Sequence, residues 1–403
     1  MTREMKNSGV QWIGNIPKDW RPVQLKRVVS VISGREIISE VEGEAANAIP
    51  VYGSGGIFKY TDQYQYNGEV VMFGRKGTIG KPIYVNGKFW AVDTMYFLKH
   101  KKDRILPKYD FYLLSAFDWA PYTTKTALPS VVATEIINCA FPLPSISEQK
   151  AIADFLDEKC GEIDGLLADL DTEVKTLAEY KKSLIAETVT RGLNPNVPMK
   201  QSGIPWADTI PAHWKVIANK YIMRKKKEIV PVYSGQDIIS LSMNGVIVRD
   251  LDAGGKMPTS FNGYQQIYPG NLLMCLFDID VTPRCIGLIK NKGLTSPAYS
   301  QFEMIDDTYA PYYYYFYLKM DNTKELVHLS KNMRHSLNEE QFGMIKTIQP
   351  PMEEQVAIAD FLDTKCAAID QAITDKTTQI ETLKAYKASL IYEYVTGKKQ
   401  VAL

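Results

Sequence analysis

The run Glu148-Gln-Lys-Ala-Ile-Ala-Asp-Phe-Leu-Asp157 returns as Glu354-Gln-Val-Ala-Ile-Ala-Asp-Phe-Leu-Asp363. The likeness extends over Glu148–Thr190 and Glu354–Thr396, with 25 of 43 positions identical at an offset of 206. Neither copy contains proline, so each can run as one uninterrupted helix. In the first copy Leu156, Ile163, Leu170, Leu177 and Leu184 hold one heptad position, and Cys160, Leu167 and Val174 hold its partner. The second keeps Leu362, Ile369, Leu383 and Leu390, with Cys366, Ile373 and Ile380, and departs at Lys376, where the seam is expected to weaken or open. A helix of this length spans about 64 Å and cannot hide its apolar stripe within one globule. The simplest cover for each stripe is the other copy. Ser145 with Glu148 reads as a capping box for the first helix; Pro350-Pro351 and the acidic turn Glu353-Glu354 open the second.

Working outward, a second repeat precedes each helix. Ser8, Trp12, Ile16-Pro17 and Trp20 return as Ser202, Trp206, Ile210-Pro211 and Trp214 at an offset of 194, so the intervening segment is 12 residues longer in the second half. Those segments read as mixed α and β, with short β-rich runs such as Glu69–Phe73 and Asn271–Phe277 broken by glycine and proline turns.

At 403 residues the chain is long enough for two or three domains of about 150 residues each. Hydrophobic residues at 45% and charged residues at 23% are globular values and exclude disordered and fibrous classes. The longest charge-free run, Met257–Phe277, is broken by Pro258, Gly263, Pro269 and Gly270 and cannot cross a bilayer as a helix. The opening residues lack the apolar stretch of a secretory signal, and the five cysteines show no CxxC pair, which together predict a cytoplasmic protein with reduced thiols.

A net charge of +1 points to no partner, but the charge is segregated. Residues 1–147 carry 18 Lys and Arg against 13 Asp and Glu, and residues 192–353 carry 17 against 15. The helical segments carry 6 against 11 over 148–191 and 6 against 7 over 354–403. A polyanion is therefore drawn to the globular segments, and the helices suit spacing or protein docking.

The catalytic motifs tested for do not fit. Gly74-Arg-Lys-Gly77-Thr-Ile-Gly80-Lys81-Pro82 has one residue too many for a phosphate-binding loop, and Pro82 lacks the hydroxyl that would hold Mg²⁺. The string nearest to an amino-methyltransferase loop is Gln349-Pro-Pro-Met352, at a helix start. His100, His213, His328 and His335 are scattered, and Cys275 and Cys285 have no second ligand pair at zinc spacing, so no metal is expected.

The candidates for DNA contact are short polar loops. Tyr52 and Ser54, in Tyr52-Gly-Ser-Gly-Gly56, together with Arg75, Lys76 and Thr78, offer amides, hydroxyls and two cations for phosphates and base edges. Arg224, Lys225 and Lys226 lie in the densest basic run and suit phosphate affinity without sequence information. Lys125 and Ser130 fall as far before the first helix as Lys331, Arg334 and Ser336 fall before the second, and their divergent polar content suits domains that read different sequences. Arg284, in Pro283-Arg-Cys-Ile-Gly287, occupies the expected place of the Arg75 loop in the second half. The aromatic run Tyr312–Tyr317 is expected to pack as a helix, Phe111-Tyr112 aligning with Phe316-Tyr317.

With these motifs in both halves, the chain resembles the specificity subunits of type I restriction-modification enzymes over essentially its full length. The resemblance rests on the paired tryptophan openings, the Val51-Tyr-Gly-Ser-Gly-Gly56 and Arg75-Lys-Gly-Thr-Ile-Gly80 loops, and the helix starts Glu148-Gln149 to Asp157 and Glu354-Gln355 to Asp363. It implies an α+β chain with a pseudo-two-fold internal repeat: two mixed α/β target recognition domains, at 1–147 and 192–353, separated by spacer helices, at 148–191 and 354–397, that form an antiparallel coiled coil. Each domain would read half of an interrupted site on double-stranded DNA, with the coiled coil as the ruler between them. Two modification subunits would dock on the repeated regions, with Glu148, Gln149, Phe155, Glu354, Gln355 and Phe361 as candidate contacts, and restriction subunits would join. S-adenosylmethionine, ATP and Mg²⁺ would belong to those partners and the chain itself would be non-catalytic. A coiled-coil scaffold that binds no DNA is the alternative.

Overall fold

A computed structural model of the chain describes residues 3–43, 45–252, 258–330 and 335–401. Among these, helices α1 (Pro107–Ser115), α2 (Ala133–Asn138) and α3 (Ile146–Arg191) lie in the first half, and α4 (Ala310–Asn322), α5 (Glu325–Leu329), α6 (Glu339–Met344) and α7 (Met352–Val395) in the second. The chain divides into two compact units, Met1–Asp171 with Thr377–Leu403, and Thr172–Lys376. Both divisions fall inside a long helix, so α3 and α7 each give one half to each unit.

In the first unit a six-stranded sheet runs in the order Val29–Ser33, Met95–His100, Tyr66–Gly74, Ile83–Ala91, Ile49–Gly53, Gly56–Thr61. Its neighbours are antiparallel except Ile49–Gly53 beside Ile83–Ala91. Successive side chains of a strand face opposite ways. Val71 and Phe73 accordingly join the core beneath α1 and the long helices, while Val70 and Met72 join a second core on the other face with Val85, Phe89 and Phe97. The β-rich run read from Glu69–Phe73 is thus a central strand buried on both sides.

The second unit has a four-stranded antiparallel sheet, Met223–Lys226, Ser300–Met304, Leu272–Met274, Ile286–Leu288. Leu272 and Met274 face the helical core and Leu273 the smaller one. The aromatic run lies in α4, with Tyr312, Tyr313, Tyr315, Phe316 and Tyr317 all buried.

The long helices pair within each unit, head beside tail. In the first unit Ile152, Leu156, Cys160 and Ile163 of α3 share a core with Leu390, Ile391 and Val395 of α7, and Phe155 meets Tyr394 with ring centres 4.5 Å apart. In the second, Ile185 and Val189 of α3 share a core with Ile358, Leu362 and Cys366 of α7. The heptad residues are therefore seam residues: Leu156, Ile163, Leu362, Ile369 and Ile380 are buried, and Leu170, Leu177, Ile373 and Leu383 half-buried. Two ion pairs cross the seam at repeated positions, Lys387 to Asp164 at 2.6 Å and Lys181 to Asp370 at 2.6 Å. At Lys376 the seam does not open; its ammonium pairs with Glu173 across the helices. Gly397 closes α7 at φ 72°, and an added Cβ would sit 2.5 Å from Pro17, so only glycine fits there.

Candidate nucleic-acid interface

The base of each long helix is locked to its domain by the same side chains. Trp20 donates its indole N–H to Glu148 at 2.9 Å, and Trp214 does so to Glu354 at 3.0 Å. Ser145 Oγ accepts from the backbone N–H of Glu148, but the Glu148 carboxylate turns to Trp20 and Arg3, so only half of the expected capping box forms.

Gln149 and Gln355 are fully buried. Gln149 accepts from Leu106 N at 2.9 Å and donates to the carbonyls of Arg104 and Pro144; Gln355 accepts from Tyr309 N at 2.8 Å and donates to those of Asp307 and Pro350. The expectation that they meet a partner subunit is corrected: each amide is consumed in holding a loop, a helix N-terminus and the entry to α3 or α7. Glu148 and Glu354 are partly exposed but already bonded, and Phe155 and Phe361 are half-buried against the cores.

Two tyrosines in each half, whose bonding partners the sequence did not reveal, repeat as well. Tyr109 donates to the Val395 carbonyl at 3.1 Å and Tyr312 to that of Val189 at 3.0 Å, each capping the last turn of a long helix. Tyr112 donates to Asp157 and Tyr315 to Asp363, both at 2.6 Å. Burial, then the neighbouring carboxylate, pushes both of these phenols far above their ordinary range. The true offset between the domain helices is therefore 203, and the expected pairing of Tyr112 with Tyr317 is corrected to Tyr315. The Tyr-x-x-Tyr spacing at 109/112 and 312/315 was the available signal.

On this frame the predicted loops of the first unit come together. Val131 N donates to Arg75 O at 3.0 Å, Gly77 N donates to Pro129 O at 2.9 Å, and Lys76 bridges Ser130. Ser130 Oγ is 3.1 Å from Thr124 Oγ1. Gly77 lies at φ 89°, and a Cβ there would sit 2.8 Å from Ser54 Oγ, which brings the 53–56 turn onto the same cluster. Lys76 and Lys125 are exposed, Ser54, Arg75, Thr78 and Ser130 half-exposed, and Arg75 lies over the Tyr96 ring. Tyr52 instead tucks its ring edge against Phe89 in the second core. Ile57 and Phe58, which follow the 53–56 turn in sequence, and Leu128 and Val132, which flank Pro129–Val131, are exposed.

The second unit is arranged differently. Arg224 and Lys226 pair with Glu303 and Lys225 with Glu339, along an edge strand. The hydrogen bond from Arg224, then Lys226, holds the Glu303 carboxyl below its ordinary value. Arg284 donates to Asp321 at 3.2 Å, with Asn322 beside it, and Asp321 is buried. Arg284 is thus a structural cation, and its expected equivalence to the Arg75 loop is corrected. Leu337 N donates to Leu276 O at 2.8 Å and Ile279 N to His335 O at 3.2 Å, which makes Leu276–Ile279 the counterpart of Arg75–Gly77. Ser336 sits at that junction, its Oγ accepting from Asp278 N. Lys331 and Arg334 fall outside the described residues.

The two units are thus mixed α/β modules built on one repeated frame of long helices. Residues 17–170 match the Type I restriction modification DNA specificity domain. The chain is 25% identical to a putative type I restriction enzyme MjaX specificity subunit of Methanocaldococcus jannaschii, over 96% of each chain. It is 24% identical to that organism's MjaVIII specificity subunit, over 96% of this chain and 94% of the relative. A chain solved in a study of complex assembly and conformational transition of the type I R-M system has the same fold, with a TM-score of 0.69 at 12% identity over 95% of this chain and 99% of that one. Over nearly its whole length the chain is thus similar to specificity subunits of type I restriction enzymes, and residues 17–170 match that family's DNA specificity domain. Among the described residues no helix is long and apolar enough to cross a membrane.

Proposed function

We propose that this chain recognises a bipartite, interrupted site on double-stranded DNA and positions two modification subunits and the restriction subunits on it, in the cytoplasm. The observation that carries the reading is the repeated frame. Trp20–Glu148 and Trp214–Glu354, Gln149 and Gln355, and Tyr109 and Tyr312 repeat almost to the ångström, while the loops they support differ in residue type. A common scaffold with divergent exposed loops is what two readers of unlike half-sites require. The loops of the first unit supply amides, hydroxyls and cations for phosphates and base edges. S-adenosylmethionine, ATP and Mg²⁺ are assigned to the partner subunits. The modification subunits are assigned to the exposed outer faces of α3 and α7, where Tyr180 and Tyr386 recur at equivalent positions. The test is a gel shift of the chain with its modification subunit over a salt series. Retention of specific binding above competitor DNA supports the proposal; binding to no DNA at any salt overturns it in favour of a pure scaffold.

A further inference from the structure

The two units place equivalent backbone positions at their loop junctions, and the side chains there have opposite chemistry. In the first unit the Arg75–Gly77 turn is stitched to Pro129–Val131 by two backbone hydrogen bonds; in the second, Leu276–Ile279 is stitched to His335–Leu337 by the same two. The partners correspond at the repeat offset of 206, Pro129 with His335 and Val131 with Leu337. The second turn has one more residue, so Lys76 gives way to Phe277-Asp278, and Asp278 absorbs the insertion at φ 45°.

At this position the first unit presents cations that, among the described residues, have no carboxylate partner: Lys76 is exposed, and Arg75 is half-exposed over Tyr96. The second unit presents Phe277, 38% exposed, and the half-exposed Asp278. The nearest candidate cation by sequence, Arg284, is neutralised by Asp321, and Lys324 donates to Asp321 and to the carbonyls of Ile279 and Thr282. The difference is therefore built into the packing of each junction.

Resting on the proposed function, we infer that Lys76, flanked by Arg75, and Phe277-Asp278, flanked by Leu276, hold equivalent specificity-determining places: the first selects guanine in its half-site, the second a thymine methyl or a cytosine amino group in the other. Guanine offers O6 and N7 as paired acceptors to Arg or Lys. A phenyl ring fits the thymine methyl, and a carboxylate accepts from cytosine N4 but repels the acceptors of guanine.

The experiment maps N6-methyladenine on DNA exposed to the complex of the chain with its modification subunit. It compares the native chain with Arg75→Gln/Lys76→Gln and with Phe277→Ala/Asp278→Asn. The expected result is that the first variant loses preference at a guanine in one half-site, about tenfold or more, and leaves the other half unchanged. The second relaxes a thymine or cytosine position in the other half only. Thermal melts report folding; if the double variant at 75 and 76 does not fold, Lys76→Gln alone, at an exposed side chain, carries the same expectation. Native motifs retained by both variants, or guanine preference lost on changing Phe277-Asp278, overturn the inference. A native chain that directs no bipartite methylation overturns the proposed function instead.

Discussion

Trp20 hands its indole N–H to the Glu148 carboxylate at 2.9 Å, across 128 residues of chain, and ties the opening segment of the first domain to the first turn of α3. Arg3 reinforces the site from above the Trp20 ring. Trp214 and Glu354 repeat the contact at 3.0 Å with His213 in place of Arg3. A buried indole needs an acceptor, and a carboxylate at a helix N-terminus is already favoured by the exposed amides there.

Replacing Glu148 by Leu leaves the indole N–H unpaired. The expected loss is about 1–3 kcal/mol of unfolding free energy, from an orphaned buried donor and a lost charged acceptor. Glu148→Gln, which retains an acceptor, should lose less than half as much. Urea denaturation of the three proteins checks the order, and Glu354→Leu should behave alike in its own unit.

Gln149→Ala strips partners from one backbone N–H and two carbonyls at once. Each unsatisfied buried group costs about 1 kcal/mol or more, so a loss of about 3 kcal/mol is expected, with Gln355→Ala equivalent. Glutamate at the same position should not rescue, because it cannot donate to the carbonyls. The midpoint of denaturant unfolding is the readout.

Arg284→Ala removes one of two cations facing the buried Asp321, leaving Lys324. A stability loss of about 2 kcal/mol is expected, below the cost of isolating a buried charge entirely. The mapped methylation motif should be unchanged, which separates this residue from the loop residues of the first unit.

Stability should fall at alkaline pH. Burial, then the adjacent Asp157 and Asp363, raises the Tyr112 and Tyr315 phenols above their value in the unfolded chain, about 10. The unfolded chain releases those protons first, so the contribution is fully present below about pH 10 and is lost as pH rises beyond it. Tyr112→Phe/Tyr315→Phe should flatten this dependence in melting curves between pH 9 and pH 11, values chosen to bracket about pH 10.

The helices were legible because a heptad stripe and a 25-of-43 repeat leave few ways to bury Leu156, Ile163 and Leu362. The central strand at Glu69–Phe73 was legible because strands buried on both faces read as apolar runs. The offset of the tyrosines was not, because several aromatics in a row in α4 align equally well at two registers, and only the hydrogen bonds to Asp363 and Val189 choose between them. Nor was the fate of the basic residues: Arg284 and Arg224 look like Arg75 in sequence, and what distinguishes them is a carboxylate far along the chain, Asp321 or Glu303. The buried role of Gln149 was hidden for the same reason. Its three backbone partners come from loops that no local pattern brings together.

The central claim is that one duplicated frame carries two independent readers. The most direct measurement exchanges residues 20–147 for the corresponding segment of another specificity subunit and maps N6-methyladenine produced by the reconstituted complex. The account predicts a bipartite motif in which one half takes the donor's sequence and the other is unchanged. A change in both halves, or a single continuous motif, would contradict it.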